Sequence, residues 1–184
     1  MAVSEPRQDA IVVVPYDPAW PATFEAQRGR VAAALRPWLV GPVEHIGSTA
    51  VPGLPAKPIV DMLARIADYE AGHQIIPAMT AIGWAHAPEP HDERLRRWEF
   101  CYPAVARRTH HVHVVEERSA DWPTWLAFRD HLRGHPADAA GYARLKRELA
   151  AADQRDRPAY RAGKAPFIQE LLRRITAHPT QKRR

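Results

Sequence analysis

One cysteine among 184 residues excludes any disulfide within the chain, and the expected compartment is the reducing cytoplasm. Cys101, set between Phe100 and Tyr102, is expected to pack as a small apolar side chain. No apolar run approaches the roughly 20 residues that cross a bilayer. The opening Met1-Ala2-Val3-Ser4-Glu5-Pro6 lacks a basic segment, and Ile11–Val14 is too short for a signal core, so no membrane partner is expected. A basic stripe interleaved with aromatics is also missing. The net charge of +5 therefore does not point to nucleic acid, since Lys182, Arg183 and Arg184 supply three of the positive charges. The sequence contains no internal repeat and no low-complexity segment.

What remains is ordinary for a globular chain: 46% hydrophobic and 26% charged residues. Residues 1–9 read as a flexible start, 10–178 as one domain and 179–184 as a basic flexible tail. Ile11–Val14 reads as a short strand ended by Pro15. Asp17-Pro18 opens a helix over about 18–36, with Phe24, Val31, Ala34 and Leu35 at helical spacing. Val40–Ile46 and Lys57–Ile66 read as strands. Asp68 caps a helix to about Ile82, which Gly83 ends. Trp84–Ala87 is a short strand and Pro88–Glu93 a loop. Arg96–Tyr102 and Thr109–Glu116 pair as antiparallel strands. Three helices complete the chain, from Ser119 or Asp121 to Arg133, from Pro136 to Ala152 and from Asp156 to Ala177. This order predicts an α+β fold: a small mixed β-sheet flanked by helices, with a helical C-terminal part that walls a cleft.

Four groups carry candidate chemistry. Gly47-Ser48-Thr49 ends a strand and can grip a phosphate, or can be a plain turn; Pro52, Gly53, Pro55 and Pro58 stiffen the loop beyond it. Asp61 is the polar exception in the run Pro58–Leu63, so it needs a partner: a metal, Lys57 or a histidine. His111 and His113 share one strand face, roughly 6–7 Å apart. As neutral imidazoles they suit zinc or another transition metal, and as imidazoliums they suit phosphate. Glu99, on a face with Arg97 and Cys101, is either a further metal carboxylate or a cross-strand ion-pair partner. From the helical part, Arg129 and Lys164 are candidate phosphate cations. Trp122, Trp125, Leu126 and Leu132 read as core.

Several segments in order resemble the GrpB proteins of bacteria: Val13–Trp20, His45–Leu54, Lys57–Asp61, His110–Val114, Phe128–Arg133 and Tyr142–Lys146, with Tyr160, Lys164, Phe167 and Ile168. The likeness runs from about residue 10 to 176. It implies a nucleotidyltransferase-like fold, in which a Gly-Ser turn grips nucleotide phosphates and an Asp-x-Asp pair binds magnesium, with a third carboxylate on a later strand. Gly47, Ser48 and Asp61 match that pattern. Leu63 stands where the second acid belongs, and His111 and His113 stand where the third would fall. GrpB-like domains also resemble a segment fused to dephospho-coenzyme A kinase in some bacteria. The expected partner is a nucleotide or other phosphorylated small molecule, and the expected cofactor a divalent metal, Mg or Mn, with Zn as the alternative. The leading expectation is a nucleotidyltransferase with catalytic Asp61 and His113. A degenerate nucleotide-binding module and a transition-metal hydrolase are the alternatives.

Overall fold

A computed structural model describes residues 10–177. The expected flexible start, 1–9, and basic tail, 179–184, lie outside the described residues. Asp17 prepares helix α1 (Trp20–Leu35): its Oδ1 accepts the Ala19 N–H at 2.8 Å, and proline occupies the first turn. Trp20, Phe24, Gln27, Val31 and Leu35 form its buried stripe. Strand β1 (Glu44–Ile46) and a 3-10 turn (Ser48–Ala50) come next, then β2 (Val60–Ile66). After them stand α2 (Gly72–Ala81), β3 (Ala85–His86), the short α3 (Asp92–Leu95), β4 (Arg97–Tyr102) and β5 (His110–Glu116). Helices α4 (Asp121–Gly134), α5 (Pro136–Ala152) and α6 (Arg157–Ala177) complete the order.

The strands form one mixed sheet in the order β1-β2-β5-β4-β3. Only β2 and β5 run parallel; the other pairs are antiparallel. The fold is the expected α+β arrangement, with a helical C-terminal part. Alternation along β2 splits the molecule into two layers. Val60, Met62, Ala64 and Ile66 face α1 and α2 and join Phe100, Val112 and Val114 in the main core. Burying one such large side chain contributes about 1.5–3 kcal/mol. Asp61 and Leu63 face the other way. There Leu63, Ile46 and Val115 meet Trp122, Trp125 and Leu126 of α4. Leu132 belongs to a separate cluster that joins α4, α5 and α6 to Val51 and Leu54.

The structure corrects several expected boundaries. Ile11–Val14 makes no strand; Val14 forms a single bridge with Ala56, while Ile11 packs against Ala150 and Tyr160. The strand expected from Val40 starts only at Glu44, because Gly41 takes φ +80° and breaks the extension. Asp68 caps a 3-10 turn, Tyr69–Ala71, rather than the helix itself, which starts at Gly72. Part of the loop expected over Pro88–Glu93 is helical, since α3 begins at Asp92. The Asp92 side chain holds that corner by accepting from the Glu89 N–H at 2.6 Å.

Candidate functional site

The sheet register brings the candidate residues together. Asp61 of β2 lies beside His111 of β5, and Leu63 beside His113. On its other side β5 sets Glu99 of β4 opposite His113. All four candidate side chains thus emerge on the face turned away from α1 and α2. They floor a cavity of about 640 Å³, walled by the turn after β1 and by α4, α5 and α6.

Asp61, His111 and His113 each present one ligand atom, and these lie within 4.8 Å of one another. Two imidazoles and one carboxylate at that spacing are a fitting donor set for a divalent transition metal. Glu99 is not part of that triad and sits behind the rings. Its Oε2 lies 2.8 Å from His111 Nε2 and 2.6 Å from His113 Nδ1. These contacts are close, but none of the three atoms makes a well-directed hydrogen bond. The contacts leave His111 Nδ1 facing Asp61, 3.9 Å from Oδ1. A carboxylate on the far nitrogen is the usual way a metal-binding imidazole is oriented. Arg97 Nε also reaches Glu99, at 3.1 Å, and the Trp125 ring stands edge-on to His113 at 4.5 Å.

Charge is shared unequally here. Burial pushes the Glu99 carboxyl up, but His113 and His111 outweigh it and hold it below its ordinary range. Burial and the His113 charge bring His111 down to about 4, so it is neutral near pH 7. His113 is also penalised by burial, yet Glu99 raises it above the ordinary imidazole value. His113 is therefore the more basic of the two imidazoles.

Gly47 joins the turn to this floor. It adopts φ +70° and ψ −169°, a region open essentially to glycine. A Cβ there would meet Asp61 Oδ2 at 2.6 Å. Ser48 Oγ accepts from Lys146 Nζ at 2.9 Å, and Lys146 also donates to the Pro55 carbonyl. Thr49 lines the cavity, with Oγ1 2.9 Å from His45 Nε2. Lys57 and Lys164 line it as well and stand 5.5 and 4.6 Å from the Tyr160 ring centre. Arg129 does not reach the cavity. Its guanidinium binds Glu44 and Asp130 and donates to the His45 carbonyl, so it pins α4 to β1. An adjacent Asp130 was the sequence signal against it.

Sequence reasoning missed Lys146 and Arg108, both of which line the cavity. Lys146 is only 2% exposed. Burial lowers it to about 7, and burial also lowers Lys57 to about 8. Lys146 lies in a matched segment but on a helix, where a lone cation reads as solvated.

Comparison with known proteins agrees with this architecture. The model of the family described as GrpB protein matches residues 10–174. The chain belongs to the GrpB family. A UPF0157 protein of Pseudomonas aeruginosa is 39% identical over 96% of this chain and 73% of its own length. The crystal structure of the conserved GrpB protein from Enterococcus faecalis superposes with a TM-score of 0.80 at 32% identity, covering 91% of this chain and 99% of that one. A dephospho-CoA kinase of Mycolicibacterium paratuberculosis is 29% identical over 88% of this chain and 45% of its own length. No described helix of this GrpB chain is long and apolar enough to cross a membrane.

Proposed function

We propose that the cavity binds a nucleotide or similar phosphorylated small molecule beside one divalent metal, and transfers its nucleotidyl group to a small acceptor. The observation that carries this reading is the convergence of Asp61, His111 and His113 under a wall bearing Ser48 and Lys146. The two imidazoles favour manganese or zinc over magnesium, which prefers oxygen donors. Such an ion supplies Lewis-acid polarisation of a phosphoryl oxygen. The chain's own residues do the rest. Lys146 and the Ser48 hydroxyl hold the phosphate, and Glu99 keeps both imidazoles in orientation. The Lys146 ammonium also offsets charge building on the leaving pyrophosphate. The coverage shared with a dephospho-CoA kinase fits a nucleotide-linked substrate.

Leu63 favours a one-metal site. It is fully buried against α4, so no carboxylate completes an acidic pair on β2. That observation also keeps open a second reading, a module that binds the nucleotide and metal without turnover. Release of pyrophosphate from nucleoside triphosphates separates the two.

Asp61→Asn tests the ion. Titration calorimetry with Mn and Zn is expected to show metal affinity lower by about 100-fold than in the wild type. Equal affinity in both proteins removes Asp61 from the metal set.

pH has two opposed effects. A metal must displace the His113 proton, so metal affinity rises as pH climbs through the raised His113 value. An anion needs charged Lys146 and Lys57, with values near 7 and 8, so phosphate affinity falls as pH rises from 7 through 9. Anion binding above pH 7 is accompanied by proton uptake, seen as a buffer-dependent heat. The combined profile is bell-shaped.

A further inference from the structure

We propose that Lys57 and Lys164, which flank Tyr160, form with Arg108 a second oxyanion subsite in the same cavity, which holds the phosphate or carboxylate of the acceptor substrate. The role as acceptor rests on the nucleotidyl-transfer reading; the binding of an oxyanion does not.

Arg108 carries the inference furthest. It lines the cavity and is only 9% exposed, yet its Nε has no hydrogen-bond partner. Its Nη1 donates to the Cys101 sulfur at 3.9 Å, a weak acceptor. Among the described residues, no carboxylate lies within 4.0 Å of Lys57, Arg108 or Lys164. By contrast two other arginines with little exposure each hold a carboxylate: Arg97 has Asp92 at 2.8 Å, and Arg129 has Glu44 at 2.7 Å. Buried charge without a partner is costly, and clustering three of one sign adds repulsion. After the larger effect of burial, Asp61 raises Lys57 while Lys164 and Arg108 lower it; Asp61 also raises Lys164, so a single carboxylate, at longer range, serves both ammonium groups. An oxyanion supplies what the cluster lacks, namely a contacting acceptor for the ammonium and guanidinium donors and negative charge beyond that of Asp61.

The subsite adjoins the one at Ser48, and Lys164 is the neighbouring charge that most lowers Lys146. In strand order the turn of Ser48 follows β1, while Arg108 precedes β5, with β2 and its Asp61 between them. Two anion-binding groups flanking β2 would suit a transfer between two charged reactants. They are unneeded if water is the acceptor.

The test is calorimetric titration of inorganic phosphate into the full chain, with and without AMP and Mn, with succinate as the carboxylate arm. Arg108→Gln is expected to lower phosphate affinity about tenfold when AMP and Mn are present. AMP affinity is expected to stay unchanged, and Arg108→Lys to recover part of the loss. Lys164→Gln, on a partly exposed helix position, repeats the measurement if Arg108→Gln does not fold. Stronger binding of phosphate than of succinate identifies the headgroup; the reverse identifies a carboxylate. Unaltered affinity for both anions in Arg108→Gln and Lys164→Gln overturns the subsite. So does a parallel loss of AMP affinity, which assigns these cations to the nucleotide's own phosphates. If AMP fails to bind the wild type while phosphate still depends on Arg108, the nucleotide reading falls and the subsite stands.

Discussion

Replacing Glu99 by alanine is expected to lower stability by about 3–5 kcal/mol, because it strands charge that is buried with its partner. Glu99 is 1% exposed and sits within 2.8 Å of both imidazoles and 3.1 Å of Arg97. Arg97 keeps Asp92 at 2.8 Å, so the orphaned group is His113, which sheds its proton and places the cost at the lower end of that range. For a chain of this size the melting temperature drops on the order of 10 °C. The difference between variant and wild type also depends on pH. The lowered Glu99 carboxyl contributes stability above its unfolded value of 4.5 and loses it as pH falls through its folded value. The raised His113 contributes fully below its unfolded value of 6.5 and loses it as pH rises through its folded value. The gap between the two proteins is therefore widest at mildly acid pH, between those two values, and narrows in alkali. Thermal melts across pH check this, and a gap independent of pH removes the ion-pair account. Metal affinity falls with the same substitution, by about 10–100-fold, because the imidazoles lose their orienting partner.

Gly47→Ala is expected to disable the site at little distance from the native fold. Backbone strain alone costs about 1–3 kcal/mol where a side chain is forced into that region. The new methyl would also overlap Asp61 Oδ2, and the carboxylate is the side that must yield. Metal affinity and phosphate binding at Ser48 are lost together. By contrast Gly53→Ala meets nothing within 4 Å, so it carries the strain of its φ +77° without touching Asp61. Comparing the two variants by metal titration separates strain from displacement. Equal metal affinity in both removes the contact between turn and carboxylate from the account.

The floor of the cavity can be read from the residues because strand alternation dictates it. His111 and His113 must share a face, and an acid inside the apolar run Pro58–Leu63 must find a partner. Arg129 misleads because it has the right charge on a helix that does wall the cleft; its carboxylates, Glu44 and Asp130, claim it. Lys146 and Arg108 are opaque for the opposite reason. Each is an isolated cation in its own segment, and only the tertiary fold reveals that it is buried without a carboxylate beside it. The overlong strand from Val40 shows the same limit at the backbone, since the residues favour extension until Gly41 turns left-handed.

The lengths of the strands bear on how the site endures. The outermost members of the sheet are three and two residues long, whereas β2 and β5 have seven each and are flanked on both sides. Short borders offer little template for a foreign strand, which guards against aggregation. Fraying begins at such borders and reaches the interior last. The amide hydrogens of Asp61, His111 and His113 are thus expected in the slowest-exchanging part of the molecule, and the backbone that carries these three side chains is held in place by strands on both sides.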